Sequence, residues 1–374
     1  MEFAFTAEQR LLQETARDLF AAKGASAEMR RLVETNTGFA PPVWQQLAKL
    51  GWAGVMVPEH LGGLGLGMVE LAIIQEQAGF TLYPSPLLTT VALALPAILA
   101  ASDELQLRAI LPPILAGERT VSLAYTGRAG VRDRIDAVLE NSANGLRLSG
   151  AAGFVPYGHA VDSLVIAART DGAMTLLMLP RETPGITAER ITYMDPTLPM
   201  ARIRFDDVIV PRNAVLGALG EGSLALGRAL DLGTILLAAE QVGGAEKCLA
   251  LSLEHAKQRI AFGRPIGGFQ AIKHMLADMV VQIESARSAA YYAACIADEA
   301  AGAPALAEAA STAAVHCGEA FYKVAADTIQ IHGGMGFTWE HDAHLYFKRA
   351  RCSQRLFGDP AFHCERIARA MEAA

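Results

Sequence analysis

The apolar pattern of the chain changes period twice. From Thr6 to about Gly117 it is helical: Thr6 and Gln9 form a capping box, and Leu11, Leu12, Thr15, Leu19 and Phe20 follow at helical spacing. Pro41 and Pro42 suit the first turn of another helix, which the pattern carries to Leu50. From about Thr120 to Val215 short β-type runs take over, among them Leu164–Ala168, Thr175–Leu179 and Ala201–Phe205, parted by Gly, Pro, Asp and Asn. From about Gly222 onward an Ala- and Leu-rich helical texture returns, with breaks near Phe262–Phe269, Gly302–Pro304 and Gly333–Gly336. Long helices with short joints predict a bundle. The expected fold is therefore α+β, with an N-terminal α-helical domain over residues 1–118, a middle β-sheet domain over 119–218 and a C-terminal four-helix-bundle domain over 219–374.

Composition narrows the partners. With 374 residues, 52% of them hydrophobic, the chain can bury large cores. A net charge of -7 without a basic cluster argues against nucleic acid, because neutralising phosphates takes grouped Lys and Arg. An anionic ligand would need local basic residues instead. The five cysteines, Cys248, Cys295, Cys317, Cys352 and Cys364, form no CxxC pair, and their odd number speaks against a disulfide framework, so a reducing cytoplasm is expected. No signal peptide is visible, since Glu2 and an amphipathic pattern replace the charged and apolar regions one would need. The most apolar run, Pro86–Ala101, is too short to span a bilayer and is interrupted by Pro96, so no membrane partner is expected.

Two motifs invite readings that their context rejects. The run Gly62-Gly63-Leu64-Gly65-Leu66-Gly67 looks like a dinucleotide loop, but no strand–turn–helix unit surrounds it, and a structural turn is expected. His341 and His344 beside Glu340 and Asp342 suggest metal ligands, yet HExxH spacing is absent and acids opening a helix have a plain structural role, so no metal is expected. His332 reads as a loop residue, and His255, His274 and His316 lie in helical stretches without a paired nucleophile.

Two other runs carry more information: Arg259-Ile-Ala-Phe262-Gly263-Arg-Pro-Ile-Gly-Gly-Phe269-Gln270 and Gln330-Ile-His332-Gly333-Gly334-Met-Gly336-Phe337. Their composition, order and separation resemble the two signature runs of the acyl-CoA dehydrogenase family. The exit from the strand region, Phe205-Asp-Asp-Val-Ile-Val-Pro211 followed by Leu216-Gly217, is similar as well. The resemblance implies the helices–sheet–bundle order, FAD as cofactor, an acyl-CoA substrate, a tetramer of like or paralogous subunits, and an electron-transfer flavoprotein as acceptor. It implies a place in β-oxidation of fatty acids or steroid side chains. In this chemistry a carboxylate removes the α-proton of the thioester while the β-hydrogen leaves as hydride to the flavin, which requires a base of raised pKa held within hydrogen-bond reach.

In the family each FAD lies between two subunits, and the two runs serve the adenine and pyrophosphate end of the neighbour's cofactor. By that resemblance Arg259, Phe262, Gln330, Gly333 and Gly334 are the cofactor-binding residues. An Arg supplies charge-assisted hydrogen bonds to phosphate, and a Gly-Gly turn lets backbone N–H groups approach closely. The half of the site that holds the flavin ring has drifted. Where relatives carry a Thr-Glu-Pro run leading into Gly-Ser-Asp, this chain reads Ala124-Tyr-Thr126-Gly-Arg-Ala-Gly-Val-Arg132, and where they carry Trp-Ile-Thr it reads Phe154-Val155-Pro156. Pro156 has no N–H to donate.

The catalytic Glu is missing from both positions the family uses, which fall here on Gly233 and Phe357. Two acids lie nearby and are the candidate catalytic residues. Glu240, seven residues after Gly233, stands in an otherwise small-residue stretch where a carboxylate is costly unless paired or used. Asp359 follows Phe357 by two residues, with a helix N-cap as its structural alternative. Asp231 matches a family position near the CoA moiety but could equally be a surface acid, and Gly233 with the following Ala residues could widen the acyl pocket or simply pack helices closely. Four readings stay open: one subunit of a heteromeric dehydrogenase, a self-sufficient homotetramer with a displaced acid, a non-catalytic structural subunit, and a flavin monooxygenase on the same fold.

Overall fold

Caps and helix breakers in the sequence set the element boundaries. The computed structural model describes residues 5–24, 26–127, 132, 134–142, 145–299 and 302–373. Thr6 Oγ1 accepts from the Gln9 N–H while the Gln9 side chain accepts from the Thr6 N–H, opening α1 (Ala7–Lys23). Helix α2 (Ser26–Val33) follows, and Pro41 and Pro42 occupy the first turn of α3 (Pro41–Lys49), where a missing N–H breaks no helical hydrogen bond. The Gly62–Gly67 run is a tight turn: a Cβ on Gly63 would lie 2.0 Å from the Val57 carbonyl oxygen, and Gly62 and Gly65 have φ of 91° and 60°. After α4 (Met68–Thr81), the most apolar run becomes a π-helical segment, Leu87–Ala94, continued by α5 (Leu95–Ala101). It is apolar because it is core, and no described helix is long and apolar enough to cross a membrane. Asp103 caps α6 (Glu104–Leu115).

Seven strands form one sheet among the described residues: β1 (Val121–Ala124), β2 (Val138–Ser142), β3 (Gly145–Pro156), β4 (Ser163–Thr170), β5 (Ala173–Pro180), β6 (Ile186–Ile191) and β7 (Met200–Val210). The order is β1-β4-β2-β3-β7-β6, with β5 antiparallel to β4, and β1 parallel to β4. The Leu87–Ala94 segment lies on β1, where Thr90 Oγ1 donates to the Val121 carbonyl and Thr89 Oγ1 to Ser122 Oγ. These buried hydroxyls satisfy backbone groups at the sheet edge.

The helical texture then resumes as α7 (Ser223–Gln258), α8 (Gln270–Asp298) and α9 (Ala303–His332), parted at the expected breaks. The last stretch divides into α10 (Ala343–Ser353) and α11 (Pro360–Ala373), because Gly358 at φ 126° and Pro360 interrupt it. In packing, the chain forms two compact units, each discontinuous in sequence: residues 1–30, 68–83 and 234–374, and residues 31–67 and 84–233. The first is helical, the second carries the sheet.

In the helical unit α4 and α7 meet backbone to backbone. A Cβ on Gly79 would fall 2.2 Å from the Glu240 carbonyl oxygen, and one on Gly243 1.9 Å from that of Glu76. Buried Glu76 accepts from Arg287 Nε at 3.2 Å and from Tyr291 Oη at 2.8 Å, and Arg287 also pairs with Glu246 and Glu284. Burial pushes the Glu76 carboxyl above the usual range, partly opposed by the Arg287 charge.

Candidate functional site

The first signature run is a hairpin between α7 and α8. Strands β8 (Ile260–Ala261) and β9 (Arg264–Pro265) pair antiparallel, leaving Phe262 and Gly263 as a two-residue loop with φ of 53° and 79°. The Ile266 N–H donates to the Arg259 carbonyl at 2.9 Å and closes the base of the hairpin. A non-glycine residue in this conformation is disfavoured by on the order of 1 kcal/mol, and the Phe262 ring is in addition 94% exposed. Arg259 is exposed too. The hairpin presents a cation and an aromatic ring outward.

The second run ends α9. Gly333 has φ 61° and ψ -144°, a backbone region that in practice only glycine enters. Gly334 has no such demand, and no atom lies within 4 Å of where its Cβ would stand. Neither packing nor backbone conformation explains glycine there, whereas close approach of an anion to the backbone does. Gln330 is exposed on the last turn of the helix. The predicted cofactor-binding residues thus all lie on the surface of the helical unit; the Gly333 N–H is spent on the Gln330 and Ile329 carbonyls at the end of α9, and the exposed Arg259 cation, the Gln330 amide and the uncovered backbone at Gly334 suit the pyrophosphate and adenine end of FAD.

The ring half, in the sheet unit, offers little. The Thr126 hydroxyl donates to the Gly153 carbonyl, residues 128–131 lie outside the described residues, and Arg132 is turned inward onto Asp231 at 3.1 Å, both side chains buried. Asp231 is therefore a buried ion-pair member, not a surface acid. Strand β3 is irregular between Ala152 and Val155, with Phe154 at φ 52°. The Pro156 carbonyl is taken by Ser122 Oγ at 2.7 Å and Thr89 Oγ1 at 3.3 Å.

Both base positions have become packing positions. A Cβ on Gly233 would lie 2.3 Å from Leu93 Cδ2, and Leu93 is fully buried, so the space beside this glycine is filled and widens no pocket. Phe357 is only 2% exposed. Of the two nearby acids, Glu240 is buried, accepting from Arg349 Nη1 at 2.5 Å and from Gln75 Nε2 at 2.6 Å. Asp359 is exposed and accepts from the Phe362 N–H at 2.8 Å, capping α11. The structure does not bring Glu240 and Asp359 into contact with the Arg259 hairpin or the Gly333–Gly334 turn, and each has structural work where it stands. Arg349, 109 residues from Glu240, was not legible as its partner, since nothing in the sequence near either residue registers their meeting.

Among the described residues no three His, Cys, Asp or Glu side chains, those of His341 and His344 included, are grouped as metal ligands would be. His332 is not a loop residue but closes α9, buried, with Nδ1 donating to the Thr328 carbonyl at 2.8 Å.

Residues 6–118 match the family "Acyl-CoA dehydrogenase, N-terminal domain" and residues 220–372 match "Acyl-CoA dehydrogenase, C-terminal domain". The chain is 34% identical over 356 residues to the acyl-CoA dehydrogenase IpdE2 of Mycobacterium tuberculosis (strain ATCC 25618 / H37Rv), with 94% of each covered. It is similar in structure to the ChsE4-ChsE5 complex from Mycobacterium tuberculosis, at TM-score 0.90 and 25% identity over 100% of both chains. A Tcur3481-Tcur3483 steroid ACAD is similar at TM-score 0.86 and 26% identity, covering 98% of each. The chain belongs to the acyl-CoA dehydrogenase family, oxidoreductases acting on acyl-CoA thioesters.

Proposed function

We propose that this chain is one subunit of a heteromeric, FAD-dependent acyl-CoA dehydrogenase that converts an acyl-CoA thioester to its trans-2-enoyl-CoA, with the cofactor shared between it and a paralogous subunit. One observation carries the reading: the face that would hold a neighbour's cofactor is open and exposed, while both base positions are filled with hydrocarbon. Removing the α-proton needs a carboxylate within hydrogen-bond reach of the substrate. Gly233 has no room for one, and Phe357 is in the core. A partner of the same fold with an acid at either position supplies it.

In that arrangement Arg259 would pair with the pyrophosphate, the exposed backbone at Gly334 would let its oxygens approach closely, and Gln330 and Phe262 would hold the adenine end. FAD, when bound, supplies the acceptor for the β-hydride. The exposure of Phe262, Met335 and Phe337 supports a subunit contact over this face. The ChsE4-ChsE5 complex and the Tcur3481-Tcur3483 steroid ACAD, each named for two chains, support the two-subunit organisation, and the second supports a steroid-derived acyl group. An electron-transfer flavoprotein is the acceptor in this reading.

The test is to express the chain alone and with its closest paralogous neighbour, and to measure bound FAD per chain from the visible spectrum. No flavin alone and one FAD per pair on co-expression is the expected result. One FAD per chain alone, with turnover, would instead make it a self-sufficient homotetramer.

A further inference from the structure

The ends of α7 and α9 are joined by an arrangement of histidines that the cofactor reading leaves unused. The rings of His255 and His332 stack at 4.4 Å with 27° between planes, and the His341 ring lies tilted against His332, also at 4.4 Å, with 52° between planes. His255 precedes Arg259 by one helical turn, and the Arg259 N–H donates to the His255 carbonyl at 2.8 Å. His332 is the residue before Gly333. The three rings therefore connect the stem of the hairpin, the glycine turn and the loop that leads into α10.

Their hydrogen bonds fix where the protons sit. A carbonyl oxygen only accepts, so His332 carries its proton on Nδ1, facing Thr328. His341 Nδ1 accepts from the Ala343 N–H at 3.1 Å, so that nitrogen bears the lone pair and the proton is on Nε2. A second proton on His341 would land on Nδ1 and set donor against donor at the start of α10. One on His332 would place a cation against both neighbouring rings. The charged groups around the column are Arg259 just after α7, Arg30 from α2, Asp342 from the loop, and His344 and Lys348 from α10. Arg30 pairs with Asp342 at 2.7 Å and donates to the His341 carbonyl at 3.1 Å, so the nearest acid is already engaged.

We propose that His255, His332 and His341 form a positioning column that holds the Arg259 hairpin and the Gly333–Gly334 turn in register as one cofactor-holding face, and that it does so only while its rings are neutral. Burial, then the neighbouring His332 ring, keeps His255 and His341 below the ordinary imidazole range, which agrees with these two rings being neutral at physiological pH. The inference rests on the reading that this face holds FAD.

Among the described residues His255 makes no side-chain hydrogen bond, so it can be replaced without orphaning a partner. The experiment follows flavin retained through gel filtration by the flavin-bearing complex, from about pH 8 to about pH 5, a range spanning ordinary imidazole titration. Parent protein is expected to release flavin as pH falls below about 6. His255→Ala should retain roughly fivefold less at every pH, the effect of losing about 1 kcal/mol of positioning. His255→Phe keeps the stacked ring without the proton, and should restore retention and move the release to lower pH. Parent-like retention in His255→Ala, or a parent-like pH profile in His255→Phe, overturns the proposal. If Arg259→Ala also keeps its flavin, the cofactor reading has failed separately. The column is then judged by hydrogen exchange at the Gly333 and Gly334 amides: loss of protection in His255→Ala with recovery in His255→Phe supports it, and unchanged protection refutes it.

Discussion

Replacing Glu240 by Gln separates the two roles open to this carboxylate. The Glu240 and Arg349 side chains are 7% and 5% exposed, so removing the negative charge takes away the carboxylate that faces a buried guanidinium. Breaking a buried pair from one side costs roughly 3–5 kcal/mol. Gln keeps the shape and one oxygen that can accept from Arg349, and Gln75 can turn its own amide oxygen toward the new NH2 group, so about 3 kcal/mol is expected. At roughly 2–4 °C per kcal/mol for a large domain, the melting temperature should fall by roughly 6–12 °C. Adding Arg349→Met removes that guanidinium and should recover at least half of that loss, a coupling that two unrelated destabilisations would not show. The assay is thermal unfolding of the parent, both single variants and the double variant, with turnover and bound flavin measured on the same preparations. A melting temperature unchanged in Glu240→Gln, together with retained flavin and abolished turnover, would refute the ion-pair account and make Glu240 the base.

Arg259→Ala should reduce flavin affinity by roughly tenfold to a hundredfold, the worth of a charge-assisted hydrogen bond, while leaving the unfolding midpoint unchanged because the side chain is exposed; equilibrium dialysis of FAD checks it, and parent-like affinity would remove Arg259 from the cofactor face. Gly233→Ala places its Cβ 2.3 Å from Leu93 Cδ2, and overpacking of about 1–3 kcal/mol should outweigh the gain of up to about 1 kcal/mol in helix propensity. In the Leu93→Ala background the same substitution should become neutral or stabilising, and an equal loss in both backgrounds would show that the space is not Leu93's. His344, buried with Nε2 lacking a partner among the described residues, is held down to about 4, mainly by burial and then by the Lys348 charge. The unfolded ring protonates first, near pH 6.5, so stability is full above that value and falls by roughly 2–3 kcal/mol as pH drops toward 4. His344→Gln should flatten that slope in unfolding measurements across the window, and an unaltered slope would assign it elsewhere.

The fold was legible wherever local rules decide the outcome. The Thr6–Gln9 box, the paired prolines at 41 and 42, and the breaks around Phe262, Gly302 and Gly333 all report interactions within a few residues, and each appears where the sequence placed it. The shape of the two signature runs was legible for a similar reason, since Arg259–Gln270 and Gln330–Phe337 are contiguous and fold as local turns. What escaped was contact between distant segments. Leu93 filling the space beside Gly233, Arg132 reaching Asp231 across 99 residues, and Arg349 meeting Glu240 have no local signature. The histidines illustrate the boundary, because His255, His332 and His341 look unremarkable one at a time and acquire a role only when the ends of two helices bring them together.

The small-residue stretch around Glu240 and the buried charges beside it have one physical origin. Gly79 and Gly243 let α4 and α7 approach until side chains at neighbouring positions have no path to solvent. Gln75 and Glu76 on α4, and Glu240 on α7, are buried as a direct consequence. A buried carboxylate must then find a cation or a set of donors close by. Glu240 finds Arg349 on α10 and Gln75, whereas Glu76 finds Arg287 and Tyr291 on α8. The two acids thus tie the glycine-mediated contact to two further helices, and the geometry explains their presence without asking either to abstract a proton. Both carboxylate oxygens of Glu240 are already engaged, Oε1 by Arg349 and Oε2 by Gln75, whereas an α-proton base needs an oxygen within hydrogen-bond reach of its substrate. That engagement agrees with the proposal that a second subunit supplies the base.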